Sequence, residues 1–205
     1  MTGSLLIGCV AFFRSSVGLA TKPYEAYRRI VHHGSLWELV PLGVLLSCYF
    51  AIASLVKTAA FRPFVLTKQF ILIALSVVVT YAVIVSLLFI VGKCMGGKGS
   101  LRVLALSWGY TLLPTLLWFL GTSILYVLFP PPRTGRPLGM VFSAIFLIFS
   151  SVLFFWKAML TYLTIRFGMK LDLWRIIAVF GVVGGSMLFY SIGMYHLGIF
   201  KIPFI

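Results

Sequence analysis

The chain has 205 residues, 61% hydrophobic and 10% charged, with 17 Lys and Arg against three acids and a formal net charge of +14. A soluble domain carries about 45–50% apolar and about 25% charged residues, so these charges are too few to cover a water-facing globule. The mean hydropathy of +1.12 points instead to a protein whose solvent is largely lipid.

The first 36 residues stand apart from the rest of the chain. Leu5 to Phe13 is apolar, but Arg14 ends the run after nine residues and no basic stretch precedes it, which does not fit a signal peptide. Leu6-Ile7-Gly8-Cys9 resembles a lipoprotein processing box, yet too little chain precedes it for that signal. The segment reads as an interfacial helix whose Arg14, Lys22, Arg28 and Arg29 face anionic headgroups. Pro23 breaks or starts a helix, so Pro23 to His32 reads as a second short element.

Five later windows are long and apolar enough to cross a bilayer of about 30 Å. They run from Leu39 to Val56, Phe70 to Val91, Val103 to Leu128, Leu138 to Leu163 and Ile176 to Phe200. Backbone groups in lipid must be satisfied within the segment, so these are helices. The expected fold is an all-α integral membrane protein, a bundle of five transmembrane helices (37–205) preceded by an amphipathic, interfacial helical segment (1–36).

The basic residues punctuate these windows. Arg14, Lys22, Arg28, Arg29, Lys93, Lys98, Arg102, Arg166, Lys170 and Arg175 fall on one side, ten in all. Lys57, Arg62, Lys68, Arg133, Arg136 and Lys201 make six on the other. The positive-inside bias places the N-terminus in the cytoplasm and the C-terminus outside. Glu25, Glu38 and Asp172 then lie on the cytoplasmic side. Nucleic-acid binders gather their cations on one polar face, whereas here they sit in short clusters between apolar runs, so no nucleic-acid partner is expected.

Catalytic groups are scarce. Three carboxylates with His32, His33 and His196 are the ordinary acid–base inventory, and neighbouring His32 and His33 point about 100° apart on a helix. Cys9, Cys48 and Cys94 show neither disulfide nor thiolate-metal spacing. Gly92 to Ser100 reads GKCMGGKGS, close to a P-loop, but Gly99 stands where Ser or Thr should reach Mg²⁺ and the segment follows a transmembrane helix. No enzymatic activity, metal or cofactor is expected. The glycines read as a tight cytoplasmic turn, or as a backbone nest for a lipid phosphate.

Small residues recur at packing intervals: Gly43, Ser47 and Ala51; Ala105 and Gly109; Gly181 and Gly185. Such faces serve packing within the chain or a homo-oligomer, the former being favoured. Pro114 kinks the third span. Lys157 lies inside the fourth span, about 9 Å from its cytoplasmic end, and either snorkels to the surface or pairs with Glu38.

The run Gly96-Gly97-Lys98-Gly99-Ser100, followed by Gly109-Tyr110 and Pro114, resembles the core signature of the Yip1 domain family. The lead-in Lys22-Pro23-x5-Arg29 and the order of spans over about residues 36–200 fit the same pattern. The resemblance implies a compact five-helix membrane bundle with a cytoplasmic N-terminus. Eukaryotic relatives act in vesicle trafficking and contact prenylated Rab-type GTPases. This sequence lacks their long soluble N-terminal region and their Asp-Leu-Tyr-Gly-Pro segment, so Rab binding is not carried over. It is more similar to the prokaryotic members, which implies a plasma-membrane location.

The expected function is non-enzymatic: membrane organisation or a trafficking-like role, acting through anionic lipid headgroups or membrane-protein partners. Gly109, Tyr110 and Pro114 would shape the bundle, and Gly96 to Gly99 would set the turn. The alternative is a small-solute or lipid transporter with a polar cleft near Tyr110, Pro114 and Lys157.

Overall fold

A computed structural model describes residues 2–57, 63–128 and 137–198. The described residues form helices and turns only. In chain order the helices are α1 (Thr2–Thr21), α2 (Pro23–His33), α3 (Leu39–Lys57), α4 (Pro63–Cys94), α5 (Leu101–Tyr110), α6 (Leu112–Leu128), α7 (Pro137–Met169) and α8 (Leu173–His196). A short 3-10 turn, Leu36–Glu38, joins α2 to α3.

The expected spans fall on helices, but the described residues contain four stretches, not five, that are long and apolar enough to cross a membrane: Phe70–Cys94, Leu101–Leu125, Gly139–Met169 and Leu173–His196. The first expected span is the helix α3, and the apolar stretch formed there with the 3-10 turn, Leu36–Ile52, is shorter than these four. The expected end of the last span, Phe200, lies outside the described residues. Residues of α4, α7 and α8 turn large apolar side chains outward, with Phe155 70% and Phe189 79% exposed. Surfaces of that kind are stable against lipid rather than water.

The helix stops reflect the local chemistry. Lys22 and Pro23 separate α1 from α2, because proline fits the first turn of a helix, where its missing N–H costs nothing. Ser35 and Glu38 form a reciprocal capping box: Ser35 Oγ accepts from Trp37 N–H at 3.4 Å, and Glu38 Oε1 accepts from Ser35 N–H at 2.9 Å. The third expected span is broken at Thr111 into α5 and α6. Pro114 has no N–H for the Tyr110 carbonyl, and Thr111 closes the end of α5 with a 3.0 Å bond to Trp108 C=O. The kink expected from Pro114 thus falls one turn upstream, at Tyr110–Thr111.

The core has two parts. One gathers Phe12 and Leu19 of α1 and Ala26, Tyr27 and Ile30 of α2 with Leu42, Leu106, Tyr110, Leu113, Leu160 and Leu163. The other joins Leu88 of α4 and Leu104 of α5 to Ile165 and Met169 of α7 and Ile176, Val179 and Val183 of α8. Residues 1–36, set apart by composition, are therefore continuous with the bundle in packing: α1 buries a stripe of Gly8, Phe12, Ser15 and Leu19 at helical spacing.

Two of the three small-residue faces do not pack inside the chain as expected. A Cβ added at Gly43, Gly181 or Gly185 would meet nothing within 4 Å. These faces look outward because the flanking large residues, not the glycines, fill the interior. Gly109 does meet a neighbour, since its Cβ position lies 2.2 Å from Leu39 Cδ2 of α3.

Candidate functional site

The glycine-rich turn between α4 and α5 works as a structural lock. Gly96 has φ +84°, a conformation that side chains with a Cβ rarely adopt. Beyond it, Lys98 N–H donates to Met169 C=O at 3.0 Å, satisfying a carbonyl left open at the end of α7. Gly99 lies so close to that helix end that a Cβ would stand 1.8 Å from Gly168 O. Arg175 of α8 reaches back to Met95 C=O at 3.3 Å. The side chain of Lys98 itself is exposed.

This lock brings the α4–α5 and α7–α8 connections to one end of the bundle. Tyr24 of α2 joins them there, its ring 4.9 Å from Phe167 of α7. Lys93, Lys98, Arg102, Arg166, Lys170 and Arg175 are all exposed, as are Arg28, Lys22 and Arg14 of the N-terminal helices. The described residues contain one ion pair, Lys22 with Glu25 at 3.8 Å, both largely exposed. Of the basic residues assigned to the opposite end, Arg62, Arg133, Arg136 and Lys201 lie outside the described residues.

Helix α2 is pinned by a buried polar node that sequence reading misses. Tyr27, fully buried, donates to Ser107 C=O of α5 at 3.3 Å and accepts from Thr164 Oγ1 of α7 at 3.0 Å. Thr164 is also within reach of Ser107 C=O and Leu160 C=O. Three helices meet on one hydroxyl pair. The available signal is the amphipathic pattern of α2, which puts Ala26, Tyr27 and Ile30 on one face.

Glu38 occupies a second node. It is 4% exposed and accepts from the Tyr110 hydroxyl as well as from Ser35 N–H. Phe12 of α1 stacks on Tyr110 with ring centroids 6.0 Å apart. Beside this pair, α1, α2 and the 3-10 turn enclose a groove of about 450 Å³. Arg14, Ser15, Arg29, His33 and Glu38 supply its polar lining, and Leu6, Ile7, Val10, Ala11 and Ile30 its apolar wall. Arg14 and Arg29 thus share one cavity, whereas Lys22 and Arg28 do not line it. A second, shallower cleft is lined by Glu25, Arg28, Arg29, His32 and His33 of α2.

Lys157 and Glu38 are not paired. Lys157 Nζ donates to Thr115 Oγ1 of α6 at 2.9 Å, while both Glu38 oxygens bond elsewhere. Lys157 lies twelve residues, or about 18 Å, before the end of α7 at Met169, because the helix continues past the apolar run that ends at Leu163. Tyr110 and Pro114 are buried, and the Tyr110 and Lys157 polar atoms end on separate partners. Among the described residues, no three His, Cys, Asp or Glu side chains gather as metal ligands.

Neither the curated proteins nor the solved structures compared with the chain match it. A family model described as the Yip1 domain matches residues 17–194, taking in α2 with Arg29, the glycine lock, and the kink at Tyr110 and Pro114. That match covers most of a chain whose apolar helices are those of a membrane protein, and the chain belongs to the Yip1 domain family.

Proposed function

We propose that the protein is a non-enzymatic component of the membrane that acts by holding anionic lipid headgroups, and through them partner proteins, at its basic end. The observation that carries this reading is the gathering of exposed Lys and Arg around one end of the bundle, with a single carboxylate paired among them. Each such cation near an anionic surface contributes about 1 kcal/mol. The excess of basic residues at this end supports a cytoplasmic N-terminus, the five apolar windows support a five-span bundle, and the similarity to the prokaryotic members supports a prokaryotic plasma membrane. The transport alternative needs Tyr110 and Lys157 on one cleft, and their separate partners favour the contact reading.

The test is thermal unfolding of the full chain in nanodiscs of phosphatidylcholine alone and with phosphatidylglycerol added. A ligand that binds only the folded state stabilises it increasingly as its occupancy rises. Phosphatidylglycerol should therefore raise the melting temperature, and salt should erase the gain. Equal melting in both lipids refutes the reading.

A further inference from the structure

We propose that the groove between α1, α2 and the 3-10 turn is a specific site for one anionic phospholipid. Its phosphate lies on Arg14 and Arg29, and an acyl chain lies along Leu6, Ile7 and Val10. This deepens the headgroup-contact function and rests on it.

The polar end of the groove is built for an anion. Arg14 and Arg29 arrive from different helices, and neither has a carboxylate partner among the described residues. The Arg29 guanidinium lies against α1 at Gly18, where an added Cβ would stand 3.3 Å from Nη2. The one acid at the groove, Glu38, accepts from Tyr110 and Ser35 N–H and pairs with neither arginine. Planar guanidinium groups bind phosphate oxygens in pairs, and His33 adds a ring donor beside them.

The other end selects a lipid over free phosphate. Leu6, Ile7 and Val10 line the groove yet are each about 70% exposed, on the outward face of an apolar helix. Inorganic phosphate would use the arginines and leave that wall bare. A lipid covers both at once, its phosphate on the arginines and an acyl chain packed along the wall.

The experiment measures retention of phosphatidylglycerol, phosphatidylcholine and inorganic phosphate by the full chain in detergent, using native mass spectrometry. Arg14→Gln with Arg29→Gln should weaken phosphatidylglycerol retention about tenfold or more. Lys22→Gln with Arg28→Gln removes the same charge from the basic end outside the groove and should weaken retention several-fold less than the groove pair. Ile7→Trp, at an exposed position, keeps both arginines, fills the apolar wall and should also lose the lipid, which guards against a double variant that fails to fold. The proposal is overturned if the groove variants retain the lipid, if the control pair loses as much, or if inorganic phosphate binds as tightly. In nanodiscs, anionic lipid that stabilises both double variants equally sinks the groove alone. An absence of stabilisation in the unaltered chain sinks the broader reading with it.

Discussion

Gly99→Ala tests whether the glycine-rich turn is a lock between helix ends rather than a flexible connection. The new methyl carbon would stand 1.8 Å from Gly168 O, 2.8 Å from Gly168 C and 2.9 Å from Met169 Cα. All three are backbone atoms, so no side-chain rotation relieves the clash, and the turn must withdraw from α7. Overpacking of this kind costs typically about 1–3 kcal/mol. Withdrawal also breaks the bond from Lys98 N–H to Met169 C=O, worth about 0.5–1.5 kcal/mol. Together the loss is about 2–4 kcal/mol, a large share of a typical folding stability of about 5–15 kcal/mol. Gly43→Ala is the control, because its methyl meets nothing within 4 Å and alanine favours the helix by about 0.5–1 kcal/mol. Thermal unfolding in detergent should separate the two by several degrees, with Gly99→Ala lower. Equal melting temperatures would refute the lock.

Tyr27→Phe removes the hydroxyl that joins α2 to Ser107 and Thr164 and should cost about 1–2 kcal/mol by chemical denaturation. Burial pushes the Tyr27 phenol above its ordinary value of about 10, so the folded state holds the proton that the unfolded chain releases. Stability should therefore fall as pH rises past about 10, and Tyr27→Phe should flatten that alkaline limb; an unchanged slope would contradict the burial. Lys157→Met replaces an ammonium bonded only to Thr115 among the described residues, and should leave the melting temperature unchanged or raise it. A drop of several degrees would mean that Lys157 has a structural partner beyond Thr115. With Cys9 and Cys48 replaced by Ala, a membrane-impermeant maleimide should label the exposed Cys94 in opened vesicles but not in intact cells. Labelling of intact cells would reverse the proposed orientation.

The helices are legible in the sequence because lipid imposes a simple rule: a long apolar run must satisfy its own backbone. Their ends are less so. The apolar run of the fourth window stops at Leu163, yet α7 continues through Arg166 to Met169, since a charged residue can leave the membrane without leaving the helix. Conversely, the third window reads as one run and is two helices, because its break depends on a carbonyl orphaned by Pro114. Small-residue spacing misleads for a related reason. Gly43 and Gly181 have the interval of a packing face, but an interval gives periodicity and not direction, and here that face looks outward.

The site divides along the same line. That Arg14 and Arg29 would meet polar headgroups is legible from their charge between apolar runs; that they share a cavity from which Lys22 and Arg28 are absent depends on how α1 packs on α2. Glu38 shows the limit most clearly. In sequence it is the nearest acid in depth to Lys157, and a buried carboxylate invites a cation. Its capping role at Ser35 fixes it instead at the 3-10 turn, within a hydrogen bond of Tyr110 and bonded to no lysine or arginine among the described residues. A phenol that donates to a carboxylate adds no second buried charge, and Arg14 and Arg29 form no ion pair among the described residues. The free cations of the groove and the neutral partner of Glu38 are thus one arrangement: with Tyr110 and Ser35 N–H as its partners, Glu38 pairs with neither arginine, and both remain available to an anion from outside the chain.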